Sequence, residues 1–308
     1  MNFWPPSWKL LTLLILALGI LVVATGRGPL SLRLLRIYPK RMGSALAGWA
    51  ARQPVPRLLR RTLIGGFAAQ VGANLEEAEL AIEEYSSLQS FFTRRLKPGL
   101  RPQELSIPGA VNSPVDARII ACGRIQEDQA IQAKGLPYRI TELLKHDPEA
   151  KRFEGGHYLT LYLSPKDYHR IHVPIDGLVT AVGRVEGELW PVNDASTSST
   201  PRLYERNRRA TWVATGTGTA EGLEVAAVLV GATHVGGVII DERWREGRPL
   251  PKDGGLQVPQ LPCRTGEDLG TFEFGSTVVL LVGVPRASSW RPLRESGDVR
   301  MGQRLGSF

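Results

Sequence analysis

Three short strings in this sequence concentrate side chains able to do chemistry. The first, Asn112-Ser113-Pro114-Val115-Asp116, sets a carboxylate just after a proline turn and just before an apolar run; taken alone, such an aspartate caps a turn. The second, SPKDYHRIHVP at 164–174, holds His169 and His172 three positions apart between two prolines. The third, LGTFEFGSTVVL at 269–280, puts Gly275 before Ser276 at the head of an apolar stretch. An H-x-x-H pair needs at least one further ligand to hold a metal, and none stands at a familiar spacing, so no metal is expected. Ser276 lacks the G-x-S-x-G elbow of the α/β-hydrolases. A serine preceded by glycine can instead turn its hydroxyl on the glycine carbonyl, because glycine permits the strained backbone that this attack needs. The hydroxyl requires a base, which a histidine oriented by a carboxylate supplies. Asp116, His172 and Ser276 are one of each. A membrane-tethered serine hydrolase would use the same three residues. His146, His157 and His234 have no comparable neighbours and are expected in surface or core roles.

These strings need elements to bring them together. Residues 76–95 have helical spacing and good helix formers. After Pro98 the chain changes to short β-branched or apolar runs bounded by Gly, Pro and Asp, among them ARIIACGRI, YLTLYLS, LVTAVGRV, TWVATGT, LEVAAVLVGATHVGGVII and STVVLLVGV. Long helical windows between them are scarce, which argues against a doubly wound parallel sheet. The expectation is an α+β protein with a mostly antiparallel β-sheet catalytic body and N-terminal membrane-associating helices. In a regular strand, positions three apart face opposite sides, so the His169–His172 string must bend for both rings to reach one site. The polar, turn-rich stretch 191–211 reads as a surface loop.

Charge divides the chain. Of 38 Lys and Arg against 30 Asp and Glu, ten basic residues and no acidic one fall in 1–75. The body, 76–308, is therefore near neutral, which argues against a nucleic-acid binder and points the leg alone toward an anionic surface. Within the leg, LLTLLILALGILVVAT at 10–25 is apolar and would span roughly 24 Å as a helix, short of a bilayer core of about 30 Å. Only Lys9 precedes it and no small-x-small cleavage site follows, so a membrane anchor is favoured over a secretory signal. The segments SLRLLRIYPKR and ALAGWAARQPVPRLLRRTLIGG mix Leu, Ile and Trp with Arg in the manner of interfacial helices. By the positive-inside tendency the body would lie at the cytoplasmic face of the cell membrane. The two cysteines, Cys122 and Cys263, match neither a disulfide framework nor a zinc spacing.

Together the strings resemble one family, the phosphatidylserine decarboxylases, which are membrane-associated pyruvoyl enzymes. The resemblance runs in order through SFFTRRLKPGLRP (90–102), SPVD (113–116), QAKGLPY (132–138), YLSPKDYHRIHVP (162–174), GELWPVN (187–193), ERNRR (205–209), LVGATHVG (229–236) and GTFEFGSTV (270–278). Phe274 stands where many members carry leucine, and Ala117 where a glycine often follows the aspartate. The resemblance implies that Asp116, His172 and Ser276 drive self-cleavage between Gly275 and Ser276. The products would be a large chain, 1–275, and a small chain, 276–308, that stay associated, with Ser276 converted into a covalent pyruvoyl cofactor. It further implies a Schiff base between that group and phosphatidylserine, decarboxylation to phosphatidylethanolamine, and His169 as proton donor, a histidine being suited to proton transfer near neutrality. An anionic phospholipid membrane is the expected partner, and a homodimer is left open.

Overall fold

The computed structural model describes residues 39–104, 106–233, 237–273, 276–285 and 290–308. The run at 10–25, and with it the expected anchor, lies outside the described residues, as do His234, Phe274 and Gly275.

Helix α1 (Lys40–Arg52) begins after Pro39 and stops before Pro54, and α2 (Arg57–Val71) begins after Pro56 and ends on Gly72 in the left-handed conformation, φ 76°. The inner face of α1 is made of small residues, Gly43, Ser44, Gly48 and Ala51, which lets the helix lie close to the body. No helix among the described residues is long and apolar enough to cross a membrane.

The continuous helix expected over 76–95 does not form. This stretch holds bends, one turn of 3₁₀ helix at Ile82–Glu84 and the short helix α3 (Leu88–Phe92). Glu79 and Glu83 are a repelling i, i+4 pair, and Ser87 is used as a cap, its side chain accepting from Ser90 N at 3.1 Å. Ile64 and Ala68 of α2 pack with Tyr85 and Phe91 in a small core that joins both sides of position 75.

The body contains β1 (Val111–Asn112), β2 (Ala117–Arg124), β3 (Gln129–Ile131), β4 (Pro137–Arg139), β5 (His157–Leu163), β6 (Arg170–His172), β7 (Gly177–Val185), β8 (Arg209–Gly216), β9 (Glu224–Val230), β10 (Val238–Ile240), β11 (Gly254–Cys263), β12 (Asp268–Phe272), β13 (Ser276–Gly283), β14 (Arg291–Pro292), β15 (Gly297–Val299) and β16 (Arg304–Ser307). Eight of them form one sheet in the order β11-β7-β8-β9-β13-β5-β2-β15, and every pairing in it is antiparallel, as the short runs and frequent turns predict. β13 is buried along its whole length, which is why its sequence reads as an unbroken apolar run rather than an alternation. The prolines of β11 fall on an edge, where a missing N–H is tolerated.

The sheet separates two cores by the two-residue period of its strands. Val278, Leu280 and Val282 face one, closed by Ile171, Leu269, Phe272 and the tryptophans 212, 244 and 290. Val279 and Leu281 face the other, with Tyr138, Leu143, Phe153 and Tyr204. Ser276 shares the parity of Val278, so its side chain belongs to the face covered by the small sheet β10-β12-β6.

The stretch 191–211 is not a surface loop. Helices α5 (Asp194–Thr197) and α6 (Leu203–Arg206) follow α4 (Ile140–Leu143) in the chain, and Arg209 already belongs to β8. The polar side chains here satisfy buried backbone. Gln132 Nε2 donates to the carbonyls of Thr197 and Thr200, Asn207 Nδ2 to those of Trp190 and Gly231, and Arg209 to Glu142, Leu143, Glu205 and Asn207.

Candidate active site

The loop between β5 and β6 carries His169, with His172 at the end of β6, and the loop is pinned on either side of the Gly275–Ser276 pair. At its start Leu163 pairs with Ser276 across β5 and β13. At its end the His169 carbonyl accepts from Phe272 N at 3.1 Å. β6 then runs antiparallel to β12, the strand that leads into Gly275, with His172 opposite Asp268. Pro165 and Asp167, whose carboxylate accepts from Ser164 N at 2.7 Å, turn the chain ahead of His169, which lies just outside β6 while His172 ends it.

His169 is fully buried, with its ring 4.0 Å from that of Phe92. Its Nδ1 lies 2.8 Å from the Asp167 carbonyl, which fixes a proton on Nδ1 and leaves a lone pair on Nε2. Among the described residues, neither His169 Nε2 nor the buried Ser276 Oγ has a hydrogen-bond partner. Burial pushes the His169 pKa down to about 3, against the favourable Asp167 carbonyl and with help from the Arg94 charge.

Both ring nitrogens of His172 are engaged. Nδ1 is 2.8 Å from the Gly266 carbonyl and Nε2 is 3.0 Å from the Tyr168 hydroxyl. Since Nδ1 donates to a carbonyl, Nε2 is the acceptor of the Tyr168 O–H. Burial lowers the His172 pKa below its ordinary value, opposed by the Gly266 carbonyl and by Asp268. Burial also raises the Tyr168 phenol to about 12.

Among the described residues, the carboxylate within 4 Å of the His172 ring is Asp268, at 3.7 Å from Nδ1. Asp268 is itself held by Arg170 at 2.8 Å and Arg95 at 2.9 Å. The Asp116 carboxylate is engaged elsewhere. It takes Arg101 at 2.5 Å and the Met301 backbone N–H at 2.8 Å, while Arg101 also reaches Glu77 at 2.6 Å. The 113–116 turn still touches His172, through the Pro114 carbonyl, which accepts from His172 N at 2.9 Å. The folded chain thus ties His169 to the end of β12 through Phe272 and His172 to its start opposite Asp268, with Ser276 opening β13, and it joins Asp116 to His172 through backbone rather than ring contact. Asp268, Tyr168 and Arg101 were not singled out by the sequence. Tyr168 lies inside the histidine string, whereas Asp268 is marked only by its strand register.

A cavity of about 830 Å³ opens beside the loop, bordered by Ser164, Lys166, Tyr168, Arg94, Arg118 and Asp298 among others. Its size falls in the range of small-molecule sites.

Comparison with known proteins gives one consistent result. The sequence model of the family described as phosphatidylserine decarboxylase matches residues 88–307. The phosphatidylserine decarboxylase proenzyme of Myxococcus xanthus (strain DK1622) is 39% identical over 280 residues, covering 89% of this chain and 97% of that protein. The proenzyme of the same description from Coxiella burnetii (strain RSA 331 / Henzerling II) is 38% identical over 284 residues, with 89% and 97% covered. That of Alcanivorax borkumensis is 35% identical over 290 residues, with 92% and 97% covered.

Proposed function

Because the chain belongs to the phosphatidylserine decarboxylase family, we propose that it cleaves itself between Gly275 and Ser276 and then converts phosphatidylserine to phosphatidylethanolamine. The observation that carries this reading is the histidine loop tied to Ser276 at one end and to Phe272 at the other, across the Gly275–Ser276 pair. The proenzyme names of the relatives support a processed product.

In this reading Ser276 gives up its Oγ proton to a histidine and forms an ester bond to the Gly275 carbonyl carbon. The amide C–N bond breaks, and the proton returns to the nitrogen. Loss of the Ser276 α-proton then expels the Gly275 carboxylate from Cβ. Water replaces the nitrogen of the resulting dehydroalanine, releasing ammonia and leaving a pyruvoyl group at the head of the 276–308 chain. His172 holds the tautomer a base needs, Gly266 keeping its Nδ1 proton, and its Nε2 lone pair must exchange the Tyr168 O–H for that of Ser276. Asp116 acts as an anchor of the turn whose Pro114 carbonyl fixes the His172 backbone, and Asp268 is the carboxylate near its ring.

The buried Ser276 Oγ, unpartnered among the described residues, fits a reactive carbonyl kept from bulk water. The pyruvoyl group supplies an electron sink for the pair left when carbon dioxide departs. His169 Nε2, free among the described residues and unprotonated in the resting ring, would take up and pass on the proton that replaces it. Residues 1–75 form the membrane-associating part, and 76–308 the catalytic part. The outer face of α1 and α2 supports membrane contact, with Trp49, Leu58 and Leu63 exposed beside Arg57 and Arg61. The cytoplasmic leaflet, rich in anionic lipid, is the surface this charge fits.

The test is the intact mass of wild type beside Ser276→Ala, with decarboxylation of phosphatidylserine in mixed micelles. Two chains from wild type, the small one blocked by a keto group, and one chain from the variant are expected. A folded wild type that stays whole and reacts with a fluorophosphonate would replace this reading with a serine hydrolase.

A further inference from the structure

Glu273 stands two positions before Gly275, and its carboxylate is buried at 4% exposure in a region where burial alone would disfavour charge. It is compensated from two directions. Arg52 Nη2, at the last turn of α1, donates to Oε2 at 2.5 Å. Gln89 Nε2, in α3, donates to Oε1 at 2.6 Å. The Glu273 backbone N–H reaches the Gly237 carbonyl at 3.1 Å. Gly237 has no side chain to interfere, and a Cβ there would meet Glu273 Oε2 at 2.7 Å. Each carboxylate oxygen therefore has its own donor, and the donors come from two separate helices, far away in sequence. On the other side of the pair, Ser276 is fixed by its register with Leu163.

We infer that the Arg52–Glu273–Gln89 clamp holds the segment entering the Gly275–Ser276 bond in the conformation that Ser276 needs, which makes Glu273 a positioning residue for self-cleavage. The inference rests on the self-cleavage reading above. A reacting hydroxyl and carbonyl gain rate from being held in attack geometry, and small misplacements are costly. Ser276 is anchored by a central strand, but Gly275 follows a three-stranded sheet and needs a hold of its own upstream. The clamp supplies it through an ion pair that ordinary β pairing does not provide. Because the cation sits on α1, the basic leg contributes directly to processing and is more than a membrane attachment.

The experiment follows appearance of the 276–308 chain by denaturing mass spectrometry after cell-free synthesis of the full precursor. Wild type, Arg52→Ala, Glu273→Ala, the double alanine variant and the reversed pair Arg52→Glu with Glu273→Arg are compared. Expected are a slowing of ten-fold or more in each single variant, no further slowing in the double variant, and substantial recovery in the reversed pair. The thermal midpoints of the same clamp variants, measured on a Ser276→Ala background, separate positioning from folding. Arg52 is about half exposed, so its alanine variant is expected to keep the wild-type midpoint. Unchanged cleavage rates in Arg52→Ala and Glu273→Ala, with wild type cleaving normally, would overturn the clamp and leave self-cleavage intact. Slowing that tracks a fall in thermal midpoint, with no recovery in the reversed pair, would also overturn it. Absence of cleavage in wild type would remove the reading on which it rests.

Discussion

His169 is neutral because it is buried, and that has a cost which depends on pH. The unfolded chain takes up a proton near the ordinary value of 6.5, whereas the folded chain does so only near 3. Between these limits the unfolded state binds more protons, so stability is complete above 6.5 and falls as pH drops toward 3, by about 1.4 kcal/mol per unit at most. Urea unfolding of the Ser276→Ala precursor as a function of pH should show this slope, and His169→Gln should flatten it. As the proposed base, His172 must be neutral. Since burial lowers its pKa, the acid limb of the self-cleavage rate should lie below 6.5, and a limb centred above it would argue against His172 in this role. The histidines and Ser276 stand out as candidates in the sequence because each sits in a short string with a chemical reason for its order. The carboxylate at the His172 ring was not. Asp268 reaches it through a strand register set ninety-odd positions along the chain, while Asp116, chemically equivalent in sequence, is drawn to Arg101.

The strands were readable from composition because a sheet interior buried on both faces demands unbroken β-branched and apolar residues, as in β13. Leu280, fully buried against neighbours on β5 and β9, should cost about 2–5 kcal/mol when cut to alanine, measured by denaturant unfolding of the uncleaved precursor. Less readable were the segments whose polar residues work inward. The stretch 191–211 has the composition of a loop, yet Arg209 is 1% exposed and donates to four carbonyls. Arg209→Ala strands those acceptors, and a loss of about 3 kcal/mol or more is expected in the same measurement. The broken helix at 76–95 has the opposite cause. Its helix formers are outvoted by clustered glutamates and by Ser87, which starts a new helix instead of continuing one.

At the scale of the whole molecule, the charge of the basic leg should make membrane binding depend on salt. Arg57 and Arg61 lie on the exposed face of α2. Replacing both with glutamine should weaken binding to anionic vesicles by about 2 kcal/mol, roughly 30-fold, with little change on zwitterionic vesicles, as read by co-sedimentation at low ionic strength. The position of β13 has a consequence of another kind. This strand lies mid-sheet, paired along its length with β9 on one side and β5 on the other, while β15 and β16 attach the rest of the 276–308 segment to β2 and β1. A cut before Ser276 leaves all of these pairings in place and removes the covalent link that allowed them to be found. The matured protein would then hold a shape it has no route back to, its lifetime governed by the barrier to opening rather than by an equilibrium. Diluted from denaturant, the Ser276→Ala chain should regain its fold and the two-chain form should not, so that maturation trades repairability for chemistry.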